Sequence, residues 1–211
     1  MACEHKFRKY LNLEKLDFEP TTLIIGTFNP AWPTENKAEW FYGRTRNNYF
    51  WDVLPRIYNA DLNLRKEGKL GEWKSFCRTH RIAITDLLES IEDADPNNEE
   101  HQMILKTYSD ASIHDYFQNF TFTEILYLLK IHKSITNVYL TRSADDDTIF
   151  SQRWKAIKDY CGHNSKYHIV DLLTPSASAR FQIKEYKKNH PGLKEPLRNF
   201  IFDNWKSKWH M

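Results

Sequence analysis

The sequence predicts an α/β fold, in which three layers place helices on both faces of a central, mostly parallel, four-stranded sheet. Two observations lead there. Four short apolar segments, at 23–26, 81–86, 137–141 and 167–172, are rich in β-branched residues and read as buried strands. The stretches between them carry apolar residues at helical spacing. Strands that alternate with helices give parallel neighbours covered on both faces.

Taken in order, residues 1–20 are mixed in polarity, close at Pro20 and read as a lead-in that holds at most a short strand. Leu23, Ile24 and Ile25 run into Gly26, and the polar Asn29-Pro30 turn follows. That pattern is a central strand delivering a loop to the sheet's carboxyl edge, where open α/β sheets bind ligands. Residues 29–46 form a long loop with Trp32, Trp40, Phe41 and Tyr42. Loops of that length either build sites or are disordered, and dense aromatics argue against disorder.

Phe50, Val53, Leu54 and Ile57 set a helix over 49–58, with Pro55 placed to kink or end it. Trp73 and Phe76 mark a second over 71–80. The strand at 81–86 ends in the polar pair Thr85-Asp86, and the acidic stretch 89–100 with Pro96 reads as a surface loop. Residues 122–131 are apolar and helical in character. Asp145, Asp146 and Asp147 precede a helix over 148–160, where carboxylates complement the helix dipole. From 184 to 208 seven Lys and Arg face three Asp and Glu, in a terminal helix or two divided at Pro191-Gly192.

The 211 residues suit one domain, with a motif-bearing core over 20–185 and a basic, aromatic helical segment over 186–211. At 41% hydrophobic residues the chain can bury a real core. A formal net charge of +2 makes no demand for nucleic acid, although a local basic face is compatible with it. Cys3, Cys77 and Cys161 form no Cys-x-x-Cys pair and no even disulfide framework, so a reducing, cytoplasmic setting is expected. No apolar run approaches the roughly 20 residues of a membrane span, and residues 1–6 lack the apolar core of a secretory signal. Neither a Gly-x-Ser-x-Gly elbow nor a Gly-rich phosphate loop ending in Lys-Ser/Thr is present. Cys161, His163 and His168 fall short of four ligands at zinc spacing, so no metal and no cofactor are expected. A monomer is expected.

Three loops then gather at one sheet edge. Gly26-Thr27-Phe28-Asn29-Pro30 follows a strand, Asn48-Tyr49-Phe50-Trp51 opens a helix, and Thr174-Pro175-Ser176-Ala177-Ser178-Ala179-Arg180 follows the last strand. In order and spacing these resemble the uracil-DNA glycosylase superfamily, above all its mismatch-specific thymine/uracil branch and the hypoxanthine-DNA glycosylases. Two residues separate Gly26 from Asn29 where the family usually has one, and Ala31 stands where the mismatch branch has Gly.

The resemblance implies a uracil-DNA glycosylase-like fold and a monofunctional DNA glycosylase of base excision repair, acting without metal or cofactor. Such an enzyme flips uracil, thymine or hypoxanthine out of DNA and hydrolyses its N-glycosidic bond. On that reading Asn29 positions water and Asn48 is a second catalytic or base-reading residue. Gly26, Thr27 and Phe28 shape the base site, and Phe41 and Tyr42 stack on the base. Arg46 meets phosphate, Thr174 and Pro175 belong to the DNA-binding turn in which Ser176 and Ser178 and their amides pinch a phosphate, and Arg180 wedges into the gap the base leaves.

The chemistry is consistent with those residue types. Breaking an N-glycosidic bond puts positive charge on the sugar and negative charge on the base. An Asn can orient water and bond a base edge, and turn amides can stabilise the departing anion. Read from the residues alone, Asn29 equally suits an Asx turn beside Pro, Asn48 a helix cap, and Phe41 and Tyr42 the core. A non-catalytic nucleic-acid-binding protein of the same fold and a nucleoside or nucleotide hydrolase remain the alternatives.

Overall fold

The computed structural model describes residues 2–33, 36–65 and 69–210. It opens with β1 (Cys3–Glu4), α1 (Arg8–Leu11) and β2 (Thr22–Gly26), then runs through α2 (Phe50–Tyr58), α3 (Leu70–Thr79), β3 (Ile82–Asp86) and β4 (Leu88–Ile91). Next come α4 (Glu99–Thr107), α5 (Asp110–Tyr116), β5 (Phe120–Phe122), α6 (Ile125–Ile131), β6 (Asn137–Leu140) and α7 (Ile149–Gly162). The chain closes with β7 (His168–Asp171), a 3-10 turn over Ala177–Phe181, α8 (Lys184–Asn189) and α9 (Pro196–Lys208).

The main sheet has the order β3-β2-β6-β7, and every neighbouring pair is parallel. Strand alternation splits its residues between two cores. Leu23, Ile25, Val138 and Leu140 pack toward Leu128 of α6 and Phe150 and Trp154 of α7. Ile24, Ile82, Ile84 and Tyr139 pack toward Trp51 and Leu54 of α2, Trp73 and Phe76 of α3, and Ile201 and Trp205 of α9. Helices therefore cover both faces, as the apolar strands predict.

Several expectations need correction. Residues 89–100 are not one surface loop. Leu88 and Ile91 are buried in β4, which pairs antiparallel with β1 and β5 in a second, three-stranded sheet. The acidic Glu89 and Glu92 mask this short strand in the sequence. The apolar run at 122–131 divides at Thr123-Glu124, into the end of β5 and the whole of α6. Helices α4 and α5 went unanticipated because each rests on a cap. Asn98 Oδ1 accepts from the amides of Glu100 and His101, and Ser109 Oγ accepts from that of Ser112.

Pro55 neither kinks α2 to an end nor leaves an orphan. The Trp51 carbonyl, which Pro55 cannot serve, accepts instead from the Leu64 amide at 2.9 Å. Pro191-Gly192 divides the terminal helices as the sequence predicts. The basic segment also has an inner face. Trp205 is fully buried and its Nε1 donates to the Leu173 carbonyl at 2.7 Å, while Asn204 Oδ1 accepts from the Leu173 amide at 3.0 Å. Helix α9 thus fixes the chain where it leaves β7. Among the described residues no helix is long and apolar enough to cross a membrane.

Trp205→Ala is expected to cost about 3–5 kcal/mol, from lost burial and an unmet Leu173 carbonyl. Chemical denaturation of both proteins measures it.

Candidate functional site

The parallel strands end level with one another. Gly26 of β2 lies opposite Asp86 of β3, Ile25 opposite Leu140 of β6, and Thr141 follows at once. Over this edge lies a cleft of about 660 Å³. Its lining includes Thr27, Phe28, Asn29, Tyr42, Asn48 and Asp86, together with Thr174, Pro175, Ser176 and Ser178.

Asp86 sits at its floor, almost wholly buried. His5 Nε2 lies 2.7 Å from Asp86 Oδ2, and Asn29 Nδ2 donates to the same oxygen at 2.9 Å. The protonation pattern follows from one backbone bond. The Phe7 amide donates to His5 Nδ1 at 2.9 Å, so Nδ1 carries no proton and Nε2–H is the donor to Asp86. Because a carboxylate only accepts, the Asn29 amide must turn its nitrogen to Asp86 and its Oδ1 away.

The N-terminal segment makes this geometry possible. The Lys6 amide donates to the Asn29 carbonyl at 2.7 Å, and the Ala31 amide donates to the Glu4 carbonyl at 2.9 Å. On the other side, the His5 amide donates to the Glu89 carbonyl at 2.8 Å. His5 is therefore clamped between the Asn29 loop and β4. The two residues between Gly26 and Asn29 diverge. Phe28 turns into the core, and the Thr27 side chain bonds Asp110.

Gly26 is required by close approach. A Cβ there would lie 2.3 Å from Asp86 Oδ1 and 2.6 Å from Tyr42 OH. Tyr42 has a left-handed φ of 57°, and its ring stacks on Phe50 at 3.9 Å. Thr141 Oγ1 donates to the Ile25 carbonyl at 3.3 Å, so Tyr42 OH donates to Thr141 Oγ1 across 2.8 Å. Burial, then the nearby Asp86 charge, push the Tyr42 phenol well above its usual range and keep it protonated.

Charges of both signs line the remaining wall. Asp110 pairs with Arg142 at 2.6 Å and keeps 22% of its side-chain surface accessible. Desolvation still raises its carboxyl above the ordinary range, against the pull of Arg142. The Arg44 guanidinium lies 3.2 Å from the centre of the Tyr108 ring, and burial lowers its pKa from the usual arginine value. Thiol chemistry is disfavoured throughout, because burial pushes Cys3 and Cys161 up to about 11 and Cys77 up to about 12.

The second and third motif loops are laced together. The Tyr49 amide donates to the Pro175 carbonyl at 2.7 Å, and the Ala177 amide to the Asn47 carbonyl at 2.9 Å. Asn48 Oδ1 accepts from the Phe50 amide at 2.9 Å, which leaves Nδ2 as its donor for the cleft. The phosphate pinch expected from the amides of Ser176 and its neighbours is not what those amides do. The Ser178 amide donates to Ser176 Oγ at 3.2 Å, the Ser176 amide donates to Thr174 Oγ1 at 3.4 Å, and the Ala177 amide is held by Asn47. The hydroxyl-rich turn satisfies its own backbone, and the exposed Ser178 side chain remains outward.

Besides Gly26, which closes its strand beneath Asp86 and Tyr42, three predicted residues lie off the cleft lining. Phe41 is fully buried, packed on His5, Phe7 and Trp40, with its carbonyl accepting from Trp51 Nε1 at 2.9 Å. It is core, and no base can stack on it. Arg46 is exposed, and its carbonyl accepts from Arg65 at 3.0 Å. Arg180 is exposed and lines a neighbouring groove with Tyr49 and Lys187.

The sequence reading missed His5, Asp86, Asp110, Tyr108 and Arg142. Asp86 had a usable signal, a polar pair closing an apolar strand, whereas His5 acts across 81 positions and had none. Among the described residues no group of three or more His, Cys, Asp or Glu is placed to hold a metal ion. Compared with protein-family models, curated proteins and solved structures, the chain matches none of them.

Gly26→Ala is expected to destabilise by about 1–3 kcal/mol by forcing Asp86 and Tyr42 apart. Gly71→Ala, where the new Cβ meets nothing within 4 Å, is the control. Thermal melting of the two variants compares them.

Proposed function

We propose that this chain is a DNA glycosylase with a uracil-DNA glycosylase-like fold. It flips a damaged or mismatched base, namely uracil, thymine or hypoxanthine, out of DNA and hydrolyses the N-glycosidic bond. One observation carries the reading: Asn29, Asn48 and the 174–178 turn, far apart in the chain, line one cleft at the carboxyl edge of the parallel sheet.

The site's chemistry suits that reaction. The Asn48 Nδ2 donor suits the edge of a base, and the Asn29 Oδ1 acceptor suits the attacking water. Tyr108 and the largely buried Phe28 line the cleft together with Tyr42. The buried Asp86 carboxylate on the cleft supplies negative charge of the kind that stabilises a cationic sugar. At the rim, Arg180, Lys187 and Tyr49 share the neighbouring groove, and the exposed Arg46 lies on the loop that Arg65 braces. These cations are the candidates for phosphate contact. Phe181, 78% exposed beside Arg180, is the residue best shaped to enter the base stack with it.

A second reading is favoured by one feature. Asp86, Asp110, Asp145 and Asp146 all line the cleft, which suits an uncharged nucleoside better than a phosphate-bearing strand.

The test is abasic-site formation on single-stranded and duplex oligonucleotides carrying uracil, mismatched thymine or hypoxanthine. Wild type is expected to release base, and Asn29→Ala and Asn48→Ala are each expected to slow release by about 10²–10³-fold with DNA affinity retained. Arg180→Ala with Phe181→Ala is expected to weaken binding instead. Cleavage of free nucleosides without DNA affinity would replace this reading with the second, and binding without abasic product would make the chain a non-catalytic member of the fold.

A further inference from the structure

We propose that Asp86 is the general base of the cleft, with His5 and Asn29 as its positioning partners. This rests on the hydrolytic reading above and goes beyond it, because that reading assigns the water to Asn29 alone.

The argument starts from how Asp86 is held. Both observed bonds reach Oδ2, from His5 Nε2 at 2.7 Å and from Asn29 Nδ2 at 2.9 Å. Both donors are neutral, since the Phe7 amide occupies His5 Nδ1 and forbids an imidazolium there. The carboxylate is thus oriented without losing its charge. The other acids of the cleft differ. Asp110 and Asp146 both pair with Arg142, Asp145 is exposed and accepts from Ser143 Oγ, and Arg44 feels Asp86 only through a longer-range charge interaction. Among the described residues Asp86 is the buried cleft carboxylate with no Arg or Lys partner.

The other oxygen, Oδ1, crowds Gly26, where an added Cβ would fall 2.3 Å from it, and the side chain lines the cleft. The Tyr42 proton is committed to Thr141. Asn29 turns its Oδ1 away from Asp86. Asp86 Oδ1 and Asn29 Oδ1 thus belong to two cleft-lining residues and can only accept, and acceptors select a molecule that donates. A water that gives one proton to Asp86 Oδ1 and the other to Asn29 Oδ1 has a lone pair left to point at a substrate carbon.

The step balances. The water oxygen forms a bond to the anomeric carbon, and the carbon–nitrogen bond breaks with its electron pair leaving on the base. One water proton passes to Asp86 Oδ1, and solvent relays it from there to the departing base nitrogen. The products are the abasic sugar and the neutral base, and no other reactant is required.

The experiment compares wild type, Asp86→Asn and Asp86→Ala in single-turnover base release, DNA affinity and thermal melting, with sodium formate added to the alanine variant. The expected result is a loss of about 10²–10⁴-fold in rate for Asp86→Asn at unchanged DNA affinity, and partial recovery of Asp86→Ala by formate. A folded Asp86→Asn protein that releases base at the wild-type rate would overturn the assignment while leaving the glycosylase reading intact. Should Asp86→Asn fail to fold, formate decides: recovery of the alanine variant supports the base, and no recovery overturns it. A wild type that forms no abasic product on any of the oligonucleotides defeats the glycosylase reading, and this assignment with it.

Discussion

One buried carboxylate organises the candidate site. Taking Asp86 out of water costs several kcal/mol unless donors replace the lost solvent. The fold supplies them from two distant places, residue 5 and residue 29. Each in turn is locked by backbone, His5 through the Phe7 and Glu89 bonds and Asn29 through the Lys6 amide. The same carboxylate, together with Tyr42 OH, forbids any side chain at position 26, and after burial it adds to the rise of the Tyr42 phenol. Removing the charge would release His5 and Asn29 from their shared partner.

The layers around it are built so that loops carry little of the positioning burden. Asp86 and Gly26 are strand-end residues in register, and Thr141 follows the next strand directly. The 48–51 and 174–177 segments are cross-linked by backbone bonds, and α9 holds the base of the second one through Trp205 and Asn204. Even the helix that carries Phe50 beneath Tyr42 has its proline defect repaired by the Leu64 amide. A polar site on rigid elements keeps its geometry at low entropic cost when it binds.

What could be read from the sequence was what depends on local pattern. Apolar runs announced the parallel strands, and their polar ends announced the cleft edge at Asn29 and Thr174. Pro191-Gly192 marked the division of the terminal helices. What stayed hidden depends on distant pairing. The second sheet rests on strands of two to four residues interrupted by acids, and His5 meets Asp86 only once that sheet is built. Phe41 and Tyr42 are neighbours with opposite fates, and only a positive φ at Tyr42 separates them. The amides of the 174–178 turn looked available because sequence does not show that their own hydroxyls take them.

The protonation state of His5 tests this arrangement most directly. In protein labelled with nitrogen-15 at histidine, the His5 ring is expected to show a protonated Nε2 and an unprotonated, hydrogen-bond-accepting Nδ1 at neutral pH. A protonated Nδ1, whether in the other tautomer or in an imidazolium, would contradict the orientation of Asp86 on which the site is built.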